Sequence, residues 1–131
     1  MLRRHIHKIR VRYQETDAQG HVHHANFLSY FEIGRVEQMR ASGYSYRELE
    51  EQGTMLVIAK ASCSYLKPAF YDDELELETV TTRATGTRVE HKYELRRGSD
   101  VLVRGETVLA CLDRESGRVC RLPDWMKIED D

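Results

Sequence analysis

Four strand-like segments follow one another between Met55 and Leu112 with only short breaks, and that succession decides the fold class. Met55 to Leu66 sets Met55, Val57, Ala59, Ala61, Cys63 and Tyr65 on one face. Glu74 to Val80 begins by alternating Glu with Leu. Arg88 to Arg96 alternates charged residues with Val89, His91, Tyr93 and Leu95, and Val101 to Leu112 is longer and more apolar. A two-residue period is the mark of a half-buried strand. The breaks KPAFYDD, ATGT and RRGSD, and a final turn at DRESG, are rich in turn formers. Consecutive strands joined by tight turns make an antiparallel sheet.

A fifth strand precedes them. From Ile6 to Tyr13 the odd positions Ile9, Val11 and Tyr13 are apolar, while Lys8, Arg10 and Arg12 are basic. Asn26 then stands where a side-chain oxygen could cap a helix running to about Ser42, with Gly43 as its stop. Phe27, Leu28, Tyr30, Phe31, Ile33, Val36 and Met39 fall on more than one helical face, so the helix should be enclosed. Gly34 inside it costs ~1 kcal/mol relative to alanine, which predicts close backbone approach to a neighbour. Ser45 with Glu48 forms a capping box for a short second helix ending near Gly53. The expectation is a single α+β domain over residues 1–131, with a curved antiparallel sheet around a long central helix. Its core should span about 6–122, and the acidic tail IEDD should fray.

Charged residues make up 32% of the 131 and the net charge is -2, which gives no basic field for nucleic acid and no polybasic membrane patch. No apolar run approaches the roughly 20 residues that cross a bilayer. The basic N-terminus MLRRHIHKIRVRYQ lacks the apolar stretch of a signal peptide. Three cysteines, Cys63, Cys111 and Cys120, are an odd number without CxxC spacing, which fits a reducing cytoplasm better than a disulfide framework.

The chemistry concentrates in YQETDAQGHVHHANF, residues 13–27, between the first strand and the helix. Asp17 near a helix N-terminus could be a nucleophile or a general base toward water. It could equally cap its own turn ahead of Gly20, and composition alone favours that. Gly20 suits a left-handed backbone or a close ligand approach. His21, His23 and His24 invite a metal, but adjacent His23 and His24 point apart and no helical i, i+4 pair exists, so no metal site is predicted. One histidine orienting a carboxylate or a water fits better. His91, on the apolar face of its strand, reads as a core histidine with a satisfied ring nitrogen.

The run ETDAQGHVHHANFLSYFE resembles the signature of the hotdog-fold acyl-CoA thioesterases, in the branch of 4-hydroxybenzoyl-CoA thioesterase and the Tol-Pal-associated enzymes. That signature is Asp-x-x-Gly-x-Val-x-x-x-Asn followed by an aromatic residue, here Asp17, Gly20, Val22, Asn26 and Phe27. Downstream, SYLKPAFYDDELELET is similar to the family's third-strand exit, and the likeness extends from about Ile6 to Leu112.

The resemblance implies an acyl-CoA thioesterase that hydrolyses a thioester to a carboxylic acid and free CoA, with acyl-CoA as substrate and no other cofactor. It implies Asp17 as catalytic carboxylate, an assisting His24, and the backbone N–H of residue 24 as donor to the thioester oxygen. Gly20 and Asn26 would shape the substrate loop. Tyr65 is a substrate-binding candidate which, like Tyr30 and Phe31, could face an aryl group or fill the core, and core is the better reading. Lys67, Thr87 and Arg88 would meet the nucleotide end of CoA, guanidinium suiting phosphate. It also implies edge-to-edge homodimers, pairing into homotetramers, with sites at the dimer interface. His21 and His23 depart from the apolar or aromatic residues usual there. Two other classes stay open: a hotdog acyl-CoA hydratase and a non-catalytic acyl-CoA sensor.

Overall fold

A computed structural model of the chain describes residues 1–129. Five strands, β1 (Arg4–Arg10), β2 (Thr54–Tyr65), β3 (Glu74–Thr85), β4 (Arg88–Arg97) and β5 (Asp100–Asp113), form one antiparallel sheet in the order β1-β3-β4-β5-β2. Helix α1 (Asn26–Ala41) packs on one face of the sheet, and α2 (Tyr46–Glu51) follows it. The α+β arrangement read from the strand succession is the one observed.

Helix α1 buries Phe27, Tyr30, Phe31, Gly34, Gln38 and Met39 against the sheet. Gly34 has no room for a β-carbon, which would collide with Thr79 Oγ1 and Leu77 of β3. The close approach predicted from that glycine is therefore real. On β5, Gly105 yields to Phe31, whose ring occupies the place a β-carbon would need and stacks on Tyr93 at 4.3 Å. Gln38 ties the layers together: its Nε2 donates to the carbonyl of Arg3, and its Oε1 accepts from Thr81 Oγ1. Ser45 Oγ accepts from the Glu48 amide, as its cap position predicts.

Several expectations are corrected. The helix is not enclosed on all sides, because one sheet covers one face only; Leu28 and Ile33 remain exposed. Asn26 does not cap α1 as an acceptor. It is the first helical residue, and its Nδ2 donates to the carbonyl of Glu15 at 2.8 Å. Strand β1 ends at Arg10, and Tyr13 opens a 3-10 turn with 77% of its surface exposed. In β2 the single apolar face breaks at a bulge between Ile58 and Lys60. Leu56 before it packs into one core cluster and Cys63 after it packs into another, so inward parity switches from even to odd.

The core also reaches beyond residue 122. Met126 and Ile128 are buried, and Ile128 exchanges both backbone hydrogen bonds with Ala84. The fraying expected of IEDD does not extend to Ile128, and residues 130–131 lie outside the described residues. His91 is a core residue at 3% exposure, but its Nδ1 finds no partner among the described residues, against the satisfied nitrogen expected of it. Burial first, and the Arg35 charge second, push its pKa down to about 3. No described helix is long and apolar enough to cross a membrane.

Candidate active site

The loop between β1 and α1 is a closed turn. The Asp17 amide donates to the carbonyl of His21 at 2.8 Å, and the Gly20 amide returns to the carbonyl of Asp17 at 3.0 Å. That return needs the left-handed backbone of Gly20, φ +82°. Asp17 Oδ1 accepts from the amides of Gln19 (2.9 Å) and His21 (3.3 Å). The turn-capping reading of Asp17 is thus correct for Oδ1. Oδ2 has no hydrogen-bond partner among the described residues. Buried Val22 docks the loop by donating to the carbonyl of Ala69, and a bridge between His21 and Phe70 extends the contact.

These contacts line a groove of about 350 Å³ with Asp17, Gln19, His21, Val22, His24 and Phe27 from the loop and helix start, and Tyr65 to Pro68 from the end of β2. Four of the predicted site residues, Asp17, His24, Tyr65 and Lys67, meet there. Gly20 and Asn26 support the loop from behind. Thr87 and Arg88 do not join them; they line a separate polar pocket at the β3–β4 turn with Arg83 and Glu90. Lys67 is ion-paired with Asp100 at 2.9 Å, an exposed pair that contributes little stability.

Residues 23 to 27 distribute their amides unevenly. His23 N donates to the carbonyl of Glu15, Ala25 N to the His23 Nδ1, Asn26 N to the carbonyl of His23, and Phe27 N to the carbonyl of His24. The amide of His24 donates to nothing among the described residues. It lies one residue ahead of the N-cap of α1, where the helix field favours negative charge. The His24 ring stacks on His23 at 4.2 Å, against the divergence expected of these neighbours, and meets Tyr65 edge-on at 6.3 Å. Among the described residues no three His, Cys, Asp or Glu side chains converge as metal ligands.

Sequence reasoning missed Glu15. Its carboxylate is 8% exposed and takes four hydrogen bonds. Oε1 accepts from the Arg12 amide (2.7 Å) and the Tyr30 hydroxyl (2.9 Å), and Oε2 from Arg12 Nε and Nη2. Burial, with the Glu15 carboxylate beside it, raises the Tyr30 pKa well above that of a free phenol. The available signal was a carboxylate three residues after Arg12, the spacing of a capping box, ahead of a tyrosine on the inner helix face.

The sequence profile of the thioesterase-like superfamily matches residues 11–128. The chain belongs to that superfamily. An Aquifex aeolicus protein, whose name assigns it provisionally as an esterase, is 46% identical over 118 residues, covering 90% of this chain and 91% of that one. The acyl-CoA thioesterase YbgC of Haemophilus influenzae is 33% identical, covering 91% of this chain and 88% of its own. Among solved structures, the DHNA-CoA thioesterase of Staphylococcus aureus superposes with a TM-score of 0.89 at 28% identity, covering 93% of this chain and 85% of that one. As a member of the superfamily the chain carries the five-stranded sheet and helix of the hotdog fold, as the resemblance implied.

Proposed function

We propose that the groove hydrolyses an acyl-CoA thioester, releasing a carboxylic acid and free CoA. The supporting observation is the unshared amide of His24 beside a carboxylate with one unengaged oxygen. Ester cleavage needs both: a donor where the carbonyl oxygen gains negative charge, and a base or nucleophile facing the carbonyl carbon. Removing such a donor costs about 3 kcal/mol of transition-state stabilisation.

Two routes balance. Asp17 adds to the carbonyl carbon, the C–S bond breaks, CoA leaves as thiolate and takes a proton, and water then cleaves the mixed anhydride. Alternatively Asp17 takes a proton from water, whose oxygen forms the new C–O bond as C–S breaks, and the departing CoA thiolate takes that proton back from Asp17. The His24 ring, exposed at the groove, is placed to exchange a proton with solvent or leaving thiol.

Lys67 is the phosphate contact this groove offers. Thr87 and Arg88 enter the proposal as nucleotide contacts to CoA held on another protomer. Such an assembly has a rationale in the single chain: the outer edge of β2 is unpaired, and Leu28 and Ile58 leave apolar surface exposed beside it. A homodimer that joins β2 edges would cover both, and pairs of dimers would make the tetramer.

The test is a panel of aryl, short-chain and long-chain CoA esters with detection of free thiol. Thiol release matched by acid supports the proposal. Binding of esters without release from any of them would make the chain a sensor instead.

A further inference from the structure

We propose that Glu15 is the positioning residue of this site, a buried carboxylate that sets the reactive loop against the start of α1; the inference rests on the thioesterase reading of the groove. Residue 15 is bonded to the chain on both sides of the reactive loop. Its carboxylate holds Arg12 at the exit of β1 and Tyr30 on α1. Its carbonyl accepts from the His23 amide and from Asn26 Nδ2, both at 2.8 Å.

The consequence falls on residue 24. His23 is pinned through its amide to Glu15, and the amides of Ala25 and Asn26 are pinned to His23. The His24 peptide therefore has fixed neighbours on both sides while its own N–H stays unshared. The preceding loop is set from the same anchor, because Glu15 is two residues from Asp17 and the Thr16–Val22 bridge closes the turn between them. The exposed Arg12 guanidinium lies over the carboxylate, so charge-assisted bonds on one side and a phenol on the other hold it in one orientation. Displacing a reactive group by about 1 Å can lower turnover by about a hundredfold. Glu15 is not among the residues that line the groove, so its influence passes through His23, Asn26 and the turn.

The experiment uses the full chain and a thioester that it hydrolyses. Glu15→Gln keeps side-chain volume but removes the charge, and its single oxygen can accept on only one side, leaving the amide NH2 facing donors on the other. The expected result is a fall in kcat of about 10- to 100-fold with KM changed less than about threefold. Tyr30→Phe, which removes a single donor, should lower kcat by a few fold and decides the matter if Glu15→Gln does not fold. In an Asp17→Asn background neither change should cost further turnover, since all act on one constellation. A merely structural role predicts losses that multiply in that background, and this result overturns the inference. So does unimpaired kcat in both single variants. A wild-type chain that cleaves no thioester overturns the functional reading and the inference with it, whereas an active wild type beside an unimpaired Glu15→Gln overturns the inference alone.

Discussion

The hydroxyl of Tyr65 donates to the carbonyl of His24 at 3.4 Å, tying the last residue of β2 to the loop just ahead of α1. The same ring packs on Phe27 at 5.7 Å. Tyr65→Phe keeps the ring contact and loses the bond. At that length the loss should change stability by less than about 1 kcal/mol, while kcat falls a few fold as the loop loosens. Thermal melts and steady-state kinetics on one preparation separate the two effects.

Asp17→Asn is expected to keep its turn, because Asn Oδ1 can still accept from the amides of Gln19 and His21. What it loses is the charge. Thioester turnover should fall at least about a hundredfold while CoA binding, read by calorimetry, changes little.

Burial holds the His91 pKa at about 3 in the folded protein, below the ordinary 6.5 it regains on unfolding. Between those values the unfolded chain binds the extra proton, so stability is complete above about pH 6.5 and declines as pH falls toward 3. His91→Phe should remove this contribution. The stability of the wild type relative to that variant should rise by about 1 kcal/mol per pH unit between roughly pH 4 and pH 6, measured by urea denaturation.

Gly34→Ala and Gly105→Ala each introduce a methyl group where Thr79 and Leu77, or the Phe31 ring, already stand. Each should destabilise the fold by about 2 kcal/mol through overpacking. Gly105→Ala should be the worse, since the stacked Phe31–Tyr93 pair has nowhere to retreat. Denaturant midpoints compare them directly.

The exposed side chain of Ile58, at 49%, lies next to the free edge of β2. The proposed joining of β2 edges predicts that Ile58→Glu favours monomer in sedimentation analysis and lowers activity in parallel. A fully active monomer would separate catalysis from assembly.

The sheet was legible because its strands carry a two-residue period, and the reactive loop because its residues are close in sequence. Long-range and parity effects were not. Glu15 reads as an ordinary surface carboxylate until Tyr30, on a different element, is brought over it. Asn26 stands one residue inside the cap position expected of it and donates where an acceptor was expected, since an amide side chain can do either and only the fold brings the Glu15 carbonyl within reach. Tyr13 kept the alternation of β1 but not its burial, because the chain turns away from the sheet before reaching it. Thr87 and Arg88 lie away from the groove for a similar reason: a hairpin turn sends them to a different pocket from the helix start.

The unpaired residue Ala59 divides one strand into two tenancies. Upstream, Leu56 answers to the packing around Met39 and Leu49; downstream, Ala61 and Tyr65 border the openings beside α1. Side chains in the downstream half can therefore diversify, and with them the choice of acyl group admitted, without disturbing the far end of the protein.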